Sequence, residues 1–542
     1  MTDLAALDVL AVDCQSTGAT PAHGSLLELG WGRPGAPAES VLVTLPEGAT
    51  IPRAVTRVTG IRSEDLEGAV SPAQAWDRLA DALGATPTAV AHFARFEARF
   101  LEDLHASLGA GALPFRLVCT HEIARRLLPD LPRRGLRALA GYFGWPLAAP
   151  RRSAEHVEAT LFVWQKLAER LAEEGVRDPE ALARFLEARP PARPGARGWP
   201  MPKEALADLP KAPGVYRMRR VDGSLLYIGK AKCLRTRVRS YFQRRRSVPD
   251  RQLEMLSQAR ALDVERTETA LEAALREHDL IKAEAPPYNV ALTSGRVVWS
   301  SRDFRSLAEA PDDVHVVGPV IAPRALAGLG DLADWMRAGE APDAETVARA
   351  LAVSPAWGPE PEVAEAGLRV FTARHPDVAP TTRALLSFGR ARWPLERRAD
   401  DDAEEDDAEA PAGWSAEGIA DHLEERLARA AHARRRARWL TILAESAVSW
   451  RAGERRRCLV ITGGDVAGRG WTAAGAPPPC PPGFTRDAAA RRLAFDRDRR
   501  DRLRVLTTEL RRLHAEGAAP EIRCGPSALV RGDALGRLLA LI

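Results

Sequence analysis

Closely spaced cysteines are absent from this 542-residue sequence. Its six cysteines lie far apart, at Cys14, Cys119, Cys233, Cys458, Cys480 and Cys524. Disulfide scaffolds and structural zinc sites need cysteines at short, regular spacings. The sequence therefore indicates neither a disulfide framework nor a structural metal, and we expect a reduced environment.

Long apolar runs are also absent. No run approaches the ~20 residues that a membrane-spanning helix needs. The first residues, MTDLAALDVLAVD, lack the basic start and the long apolar core of a secretory signal. We therefore expect a cytoplasmic protein without a membrane segment.

The sequence carries little net charge, because 77 lysines and arginines nearly balance 73 aspartates and glutamates. The distribution is nevertheless uneven: arginine triplets occupy 244–246, 434–436 and 455–457, and an acidic run covers 400–409. Such unevenness favours a polyanionic partner such as nucleic acid. An arginine-rich composition also scatters arginines over solvated faces, so charge alone leaves the partner open.

Apolar runs alternate with amphipathic stretches, and this pattern predicts a multidomain α/β chain. Strands are expected at 7–14 and 26–31. Helices are expected at about 72–84, 94–107, 120–128, 134–143 and 153–174. These elements define a front domain over residues 1–175, and we see no internal repeat.

The remaining boundaries follow from composition. A Pro/Arg/Gly-rich stretch predicts a linker, and an acidic run predicts a self-repelling spacer. The predicted segments are a linker at 176–202, a second domain at 203–292, its continuation at 293–395, an acidic linker at 396–413 and a mixed α/β region of unknown role at 414–542. A long helix is expected at 416–447 and a basic helix at 486–515.

Residues 213–242 read PGVYRMRRVDGSLLYIGKAKCLRTRVRSYF. Two β-prone runs flank Asp222-Gly223, which predicts a hairpin. We expect Gly229 to let the backbone turn sharply into a helix. A second helix over 271–282 places Glu277 on a mostly apolar stripe, where a carboxylate needs a partner, and a metal ion is one candidate.

Hydrolysis of a phosphodiester requires a base for the attacking water and positive charge near the phosphoryl oxygens. A tyrosine whose pKa is lowered by cations and a metal can act as that base. The side chains that together meet these needs are Tyr216, Tyr227, Lys230, Arg237, Tyr241, Glu277 and Asn289. Each has a structural alternative, because strand tyrosines usually pack in cores, helix cations are often solvated, and a shifted helical phase would put Glu277 at the surface.

The phrases PGVYRM, LYIGKAKCLRTRVRSYF and LIKAEAPPYNVAL resemble the GIY-YIG nuclease family, in particular the N-terminal catalytic domain of UvrC-type excision-repair nucleases. The resemblance implies that Tyr216 is the general base, aided by Lys230. It also implies that Glu277 is the sole carboxylate ligand of Mg²⁺ or Mn²⁺, and that Arg237 holds the scissile phosphate.

Further roles follow from the same resemblance. Three side chains would position groups around the phosphate: Tyr227, Tyr241 and Asn289. Four cations after the hairpin are expected to contact DNA: Lys232, Arg235, Arg239 and Arg244. A solvated helix face is the alternative for these cations.

The front domain resembles the DEDD-type 3′–5′ exonucleases, which include the proofreading epsilon subunit of bacterial DNA polymerase III. The segments that carry the resemblance are VDCQSTG (12–18), AHFARFEARF (91–100) and RRSAEHVEAT (151–160). The resemblance implies an RNase H-like fold. Such enzymes hold two metal ions with four acidic groups and use a histidine as base.

The exonuclease pattern is incomplete in this sequence. Asp13 matches it, but Gln15 replaces a glutamate, Glu97 an aspartate, His156 the last aspartate and Arg151 the histidine. Arg151 puts a permanent cation where a proton acceptor belongs. We therefore predict an inactive site. Two alternatives stay open: Glu155 or Glu158 would restore an acid if the helix were shifted. Arg151 and Arg152 would suit contact with a phosphate.

The preferred hypothesis is a metal-dependent endonuclease that cuts damaged or distorted double-stranded DNA in nucleotide excision repair, within the DNA-damage (SOS) response. The resemblance suggests a UvrB-like damage-loading protein as a partner. A 3′–5′ exonuclease and a non-catalytic DNA-binding scaffold are the alternatives. Residues 293–542 show no second nuclease motif and no helix-hairpin-helix, which favours a single incision, as in the shorter homologue Cho. A basic face formed by Arg434, Arg435 and Arg438 could bind DNA, contact a partner or be solvated.

Overall fold

Internal contacts divide the chain into two units. The first comprises Met1–Glu268 with Ala285–Asn289, and the second comprises Thr269–Glu284 with Val290–Ile542. The computed structural model describes residues 4, 7–86, 88–145, 150–189, 198–243, 247–289, 297–320, 326–355, 358–392, 413–481 and 496–540. Arg244 and the acidic run 400–409 lie outside these residues.

The first unit opens with a five-stranded sheet in the order β3-β2-β1-β4-β5. The strands are β1 (Leu10–Ser16), β2 (Leu26–Gly32), β3 (Glu39–Leu42), β4 (Thr88–Ala91) and β5 (Arg116–Cys119). Strand β2 is antiparallel to β1 and β3, whereas β1, β4 and β5 run parallel. Strand β1 is apolar on both faces, because Leu10 and Val12 enter one core and Ala11 enters the other. The predicted α/β layering is confirmed.

Helices cover both faces of this sheet. They are α1 (Arg53–Thr59), α2 (Pro72–Leu83), α3 (Arg95–Ser107), α4 (Thr120–Leu127), α5 (Leu136–Tyr142), α6 (Ser153–Glu173) and α7 (Pro179–Glu187), with a 3₁₀ turn at Ser63–Gly68. Helix α2 begins where Ser71 Oγ accepts a hydrogen bond from the Gln74 N–H at 3.2 Å. Its Trp76, Leu79 and Leu83 then recur at helical spacing on the buried face.

The stretch 176–202, predicted to be a linker, contains helix α7. The Asp178 side chain accepts a hydrogen bond from the Ala181 N–H at 2.8 Å and Pro179 occupies the first helical position, so a helix begins here. Leu182 is buried in the same core as Leu171 of α6. The front domain therefore extends through Glu187.

The second part of the first unit is a three-stranded antiparallel sheet in the order β7-β6-β8. Its elements are β6 (Gly214–Arg219), β7 (Leu225–Ala231), α8 (Leu234–Tyr241), α9 (Asp250–Gln258) and β8 (Ala261–Arg266), preceded by a 3₁₀ turn at Glu204–Leu206. The predicted hairpin turn is present: Gly223 has φ +81°, and the Ser224 N–H donates to Asp222 Oδ1 at 2.9 Å.

The second unit contains two cores. The first holds α11 (Leu329–Ala338), α12 (Ala344–Leu351), α13 (Pro361–Arg374), α14 (Thr382–Arg392) and a sheet of β9 (Val298–Ser301), β10 (Leu307–Ala308) and β11 (His315–Val320) in the order β10-β9-β11. The second holds the antiparallel sheet β14-β13-β12-β15-β16, formed by β12 (Ser446–Ala452), β13 (Arg455–Thr462), β14 (Asp465–Thr472), β15 (Glu521–Arg523) and β16 (Leu529–Arg531). Helices α10 (Ala270–Glu284), α16 (Arg497–Ala515) and α17 (Gly532–Ala540) accompany that sheet.

Helix α15 (Ala416–Leu443) contributes to both cores, so the structure does not divide at the predicted boundary between 293–395 and 414–542. Its Ile419 and Leu427 are buried in the first core, whereas Leu440 and Leu443 are buried in the second. One continuous helix thus belongs to both cores, and the two predicted regions form a single unit.

Helix α10 packs with the C-terminal sheet. Leu271 and Leu275 of α10 are buried together with Leu506 of α16 and Val448 of β12. The helix therefore groups with the second unit by its contacts, and the predicted domain boundary at 292 stays a prediction. Within the described part of the chain, no helix is long and apolar enough to cross a membrane.

Candidate active site

Three of the predicted site tyrosines lie together on β6, β7 and α8. The ring centre of Tyr216 is 6.1 Å from that of Tyr227 and 6.0 Å from that of Tyr241. The hydroxyl oxygens of Tyr216 and Tyr241 are 2.9 Å apart, within hydrogen-bond distance. Residues up to 25 positions apart in the sequence thus form one cluster within the domain.

Gly229 does not have the structural role that the sequence predicts for it. Strand β7 continues through Ala231 and α8 begins at Leu234, so Gly229 does not turn the chain into the helix. A Cβ atom at Gly229 would overlap the phenol of Tyr216. The missing side chain therefore makes room for the Tyr216 hydroxyl against the neighbouring strand.

Burial determines the protonation of Tyr216. Its side chain is fully buried, and this desolvation, followed by the neighbouring phenols of Tyr241 and Tyr227, raises its pKa well above the ordinary value. A lowered pKa, expected beside cations and a metal ion, stays a prediction for the metal-bound site. The phenol is protonated at neutral pH and can donate, rather than accept, a proton.

Arg237 lies one helical turn before Tyr241 on α8. Its Nη2 donates to the Tyr241 hydroxyl at 3.2 Å, and its guanidinium carbon lies 5.0 Å from the centre of the Tyr241 ring. The Arg237 side chain is exposed. This geometry fixes the arginine beside the phenols while leaving part of it accessible to an anionic ligand.

The other predicted cations fall into two groups. Lys230 and Lys232 are exposed on β7 and just after it. Arg235 instead donates to the Leu209 carbonyl at 2.6 Å, and Arg239 donates to the Leu206 carbonyl at 2.9 and 3.0 Å. These two arginines therefore hold the 204–209 segment onto α8, and their contact with DNA stays a prediction.

Asn289 is the only asparagine in the chain, and its side chain hydrogen-bonds to the β6–β7 hairpin. Its Oδ1 accepts from the Ile228 N–H at 2.9 Å, and its Nδ2 donates to the Ile228 carbonyl at 2.8 Å. Since β7 is an edge strand, these are backbone groups that no neighbouring strand pairs. Asn289 thus fixes the strand between Tyr227 and Gly229.

Glu277 is half-buried on α10, in the second unit. Ion pairs within that unit hold the helix on both sides of this residue. Those pairs are Glu272–Arg457 at 2.6 Å, Asp279–Arg502 at 2.9 Å and Lys282–Asp501 at 2.8 Å. Sequence reasoning missed these anchors, because their partners lie more than 180 residues away.

The front domain has a second cluster of titratable groups, at Asp13 on β1, Glu97 on α3 and His156 on α6. His156 Nδ1 lies 3.2 Å from Asp13 Oδ1. Burial alone would lower the pKa of His156, but the hydrogen bond and charge of Asp13 more than offset it, and the pKa is raised. Burial, together with the charge of Asp13, raises the pKa of Glu97 to about 9.

The charges of this cluster therefore largely cancel. Glu97 is neutral at pH 7, and Asp13 faces an imidazole that its own charge makes more basic. Gln15 adds no charge. Among the described residues, no group of three or more His, Cys, Asp and Glu side chains is arranged to hold a metal ion.

The two glutamates considered as replacements for the missing acid are Glu155 and Glu158. Glu155 accepts hydrogen bonds from the backbone N–H groups of Arg151 and Arg152 at 2.6 and 3.3 Å, which caps α6. Glu158 is exposed. The suggested substitution through a shifted helix is therefore wrong.

Arg152 also differs from the prediction of phosphate contact. Its Nε and Nη2 donate to Oε1 of Glu28 at 3.0 and 2.8 Å. Glu28 is fully buried and also accepts from the Ser153 N–H at 2.9 Å. A glutamate inside the apolar run LLELGW was the signal for this buried pair, which joins β2 to the start of α6. Arg151 is exposed, so its phosphate contact stays a prediction.

Comparison with known protein families identifies the domain that carries the tyrosine cluster. Residues 212–290 match the family described as the UvrC-like GIY-YIG domain. This span contains all seven residues of the predicted nuclease site. The chain therefore contains a nuclease domain of this type.

Curated relatives agree with both resemblances. A Mycobacterium tuberculosis protein whose name describes a bifunctional exonuclease/endonuclease is 31% identical over 287 residues, covering 50% of this chain and 42% of that protein. The UvrABC system protein C of Sphingopyxis alaskensis is 46% identical over 137 residues, covering 24% of this chain and 21% of that protein. This chain spans less than half the length of either relative.

Solved structures give local matches with low TM-scores. The GIY-YIG endonuclease domain of Thermotoga maritima UvrC, bound to magnesium, is 33% identical and covers 16% of this chain and 94% of that one, with a TM-score of 0.15. Exonuclease X in complex with 5′-overhanging duplex DNA is 17% identical and covers 33% of this chain and 99% of that one, with a TM-score of 0.25.

The motifs, the sheet topologies and the sequence matches define the class of protein. It is a multidomain α/β protein in which a five-stranded α/β domain with an exonuclease-like sequence pattern precedes a UvrC-like GIY-YIG nuclease domain.

Proposed function

We propose that this protein is a metal-dependent DNA endonuclease that hydrolyses one phosphodiester bond near damaged or distorted duplex DNA, in nucleotide excision repair. The tyrosine cluster with its adjacent arginine is the observation that supports it most. Tyr216, Tyr241 and Arg237 form a connected set of phenol and guanidinium donors next to an exposed cationic surface.

Arg237 is proposed to bind the scissile phosphate, because a guanidinium presents several N–H donors and stays charged at any relevant pH. Its hydrogen bond to Tyr241 limits its orientations before DNA binds. Lys230, Lys232 and Arg239 are proposed to contact the flanking backbone, with Tyr227 packing beside the phosphate.

Glu277 is proposed as the carboxylate ligand of Mg²⁺ or Mn²⁺, a role that rests on the family resemblance. When bound, such an ion supplies Lewis-acid stabilisation of the developing phosphoryl charge. Tyr216 can accept the water proton only when ionised, and its pKa is raised in the protein alone. We therefore propose that its base function depends on the bound cation and on Lys230.

The front domain is proposed to lack exonuclease activity. A two-metal site needs several ionised carboxylates, whereas Glu97 is neutral and Asp13 is paired with His156. A UvrB-like loading protein is proposed as a partner because residues 212–290 match the UvrC-like GIY-YIG domain.

The test is metal-dependent nicking of a lesion-bearing duplex by the full chain, with and without a damage-loading complex. Glu277→Gln and Arg237→Ala should each lower the rate by at least about a hundredfold, since each removes a group that acts on the transition state. Glu284→Gln, on the same helix, is the matched control and should nick normally. Undiminished nicking by Glu277→Gln, or DNA binding without any nicking by the wild type, would contradict the proposal.

A further inference from the structure

The exonuclease-type domain packs against the nuclease domain through α5 and α9, both in the first unit. Where these helices meet, a Cβ atom at Gly141 would overlap the side chain of Gln258. The backbone N–H of Arg133 donates to Ser257 Oγ at 2.9 Å, and Ser257 is fully buried. The two helices are therefore in close, specific contact.

Charge is complementary across this α5–α9 interface. The front domain contributes Arg133 and Arg137, and α9 contributes Asp250 and Glu254. Arg133 forms an ion pair with Asp250, and Arg137 Nη1 lies 3.4 Å from Glu254 Oε1. In the opposite direction, the Arg260 guanidinium of the nuclease domain lies 4.4 Å from the centre of the Tyr142 ring.

Arg137 reaches furthest into the nuclease domain. Its guanidinium carbon lies 4.7 Å from the centre of the Tyr288 ring. The Tyr288 hydroxyl donates to Glu254 at 2.5 Å and accepts from Gln258 Nε2 at 2.6 Å. The Arg251 guanidinium carbon of α9 also lies 5.5 Å from the centre of this ring, so Tyr288 is held by one residue of the front domain and three residues of α9.

Tyr288 is followed directly by Asn289, and both residues attach to the catalytic hairpin. The Tyr288 N–H donates to the Leu226 carbonyl at 3.2 Å. Asn289 then bonds both backbone groups of Ile228. A continuous set of contacts therefore leads from Arg137 in the front domain to the strand that carries Tyr227 and Gly229.

We propose that the front domain positions the nuclease site, and that Arg137 is the positioning residue that fixes Tyr288 and, through Asn289, the edge strand β7. This inference rests on the proposed endonuclease function. It assigns a task to the front domain, because the contacts of Arg137 lead to the strand that carries Tyr227 and Gly229.

The experiment compares the full-length chain with Arg137→Ala and Arg137→Lys. Arg125→Ala is the matched control: it removes an arginine of the same domain that pairs with Glu122 at 2.8 Å, away from α9. The measurements are kcat and KM for nicking, amide hydrogen exchange over residues 226–229, and the thermal unfolding midpoint.

Arg137→Ala should lower kcat roughly tenfold with little change in KM, since a displaced catalytic group impairs the chemical step. Exchange over residues 226–229 should become faster, while the unfolding midpoint changes no more than in Arg125→Ala. Arg137→Lys should recover part of kcat, because it keeps the charge opposite Glu254.

Normal kcat and unchanged exchange over 226–229 in Arg137→Ala would overturn the positioning role. So would a loss of activity that accompanies general unfolding, because that marks ordinary stabilisation. If the wild type does not nick DNA, the proposed function fails, but hydrogen exchange still decides whether Arg137 orders the strand.

A separate observation concerns exposed arginines on α14 and α15. The two helices lie side by side, and a Cβ atom at Gly389 would overlap the Leu427 carbonyl. Arg383 on α14 and Arg434 and Arg438 on α15 are exposed, and among the described residues no ion pair joins any of the three to a carboxylate. Burial, then the charges of Arg438 and Arg383, lowers the pKa of Arg434.

We infer that this arginine cluster, Arg383, Arg434 and Arg438, binds the sugar-phosphate backbone of DNA. Like charges placed together destabilise a folded protein unless an anion neutralises them, and a phosphate backbone presents anions in a row. The structure thus favours DNA binding among the three options that the sequence left open for the basic helix face.

The test is the salt dependence of duplex binding by Arg434→Gln/Arg438→Gln. The control is Arg429→Gln on the same helix, whose arginine pairs with Glu425 at 2.7 Å. The double variant should reduce the slope of log affinity against log salt by about two, and the control should leave it unchanged. An unchanged slope in the double variant would overturn the inference and leave an acidic protein surface as the ligand to examine.

Discussion

At the scale of single residues, protonation distinguishes the two sites of this protein. In the front site, burial and the charge of Asp13 raise the pKa of Glu97 to about 9, and Asp13 lies 3.2 Å from His156. In the nuclease site, burial raises the pKa of Tyr216 well above its ordinary value, and Arg237 donates to Tyr241. These differences support the proposal that the nuclease site, rather than the front cluster, acts on a phosphate.

Glu97→Gln is expected to stabilise the protein at alkaline pH. The folded-state pKa of Glu97, about 9, lies above its ordinary value of 4.5, so the unfolded chain loses this proton at lower pH than the folded chain does. The free energy of unfolding of the wild type therefore falls as the pH rises from 4.5 to about 9, whereas that of the glutamine variant does not. Thermal unfolding at pH 5 and pH 8 measures the difference, which should be larger at pH 8.

Glu158→Gln is the control for this prediction, because Glu158 is an exposed glutamate of the same domain. It should change neither melting temperature. Equal effects of Glu97→Gln at both pH values would show that Glu97 is ionised in the fold, and the account of the front site would then be wrong.

Rare residue types made the candidate nuclease site recognisable in the sequence. The chain has five tyrosines, and four of them, Tyr216, Tyr227, Tyr241 and Tyr288, lie within the matched domain together with the only asparagine. Against an arginine- and alanine-rich background, these residues stand out. The task of Gly229 was predicted wrongly because a close contact with a distant ring leaves no local signal.

At the scale of secondary-structure elements, local patterns were sufficient for most of the front domain. Helix α2 was placed within one residue, since a capping serine, a proline and an apolar stripe coincide there. Helix α7 was missed because the proline-rich stretch after it dominated the composition. The two cores joined by α15 could not be predicted, because its hydrophobic residues face different partners along one helix.

Asn289→Asp is expected to weaken the attachment of β7. The change replaces the amide donor to the Ile228 carbonyl with an oxygen and leaves the shape nearly the same. Two acceptors would then face each other, so the nicking rate should fall by about tenfold or more. Single-turnover nicking measures this effect.

Asp222→Asn, in the turn at the far end of the same hairpin, is the control and should nick at the wild-type rate. Normal nicking by Asn289→Asp would contradict the role assigned to the side-chain hydrogen bonds.

At the scale of the whole molecule, the C-terminal sheet supports the helix that carries Glu277. Glu272 of α10 and Arg457 of β13 form a buried ion pair, with their side chains 9% and 8% exposed. Such pairs link residues that the sequence separates by 185 positions. The C-terminal region thereby acquires a structural task that its sequence did not reveal.

Arg457→Met should destabilise the second unit by about 3 kcal/mol, because it removes the buried cation paired with Glu272 and leaves only the exposed Arg469, whose Nε lies 4.0 Å away. Urea unfolding measures the loss. The double variant Glu272→Gln/Arg457→Met should recover part of it, since the uncompensated charge is then removed. A single variant as stable as the wild type would contradict the anchoring of α10.

The central claim is that the GIY-YIG domain cuts DNA and the front domain does not. The most direct measurement follows products from a lesion-bearing duplex labelled at either end, with Mg²⁺ or Mn²⁺, for the wild type, Glu277→Gln and Asp13→Asn/Glu97→Gln. The account predicts one discrete product, lost only in Glu277→Gln. A ladder of shortened 3′ ends, lost only in the double variant, would contradict it and identify the front domain as a working exonuclease.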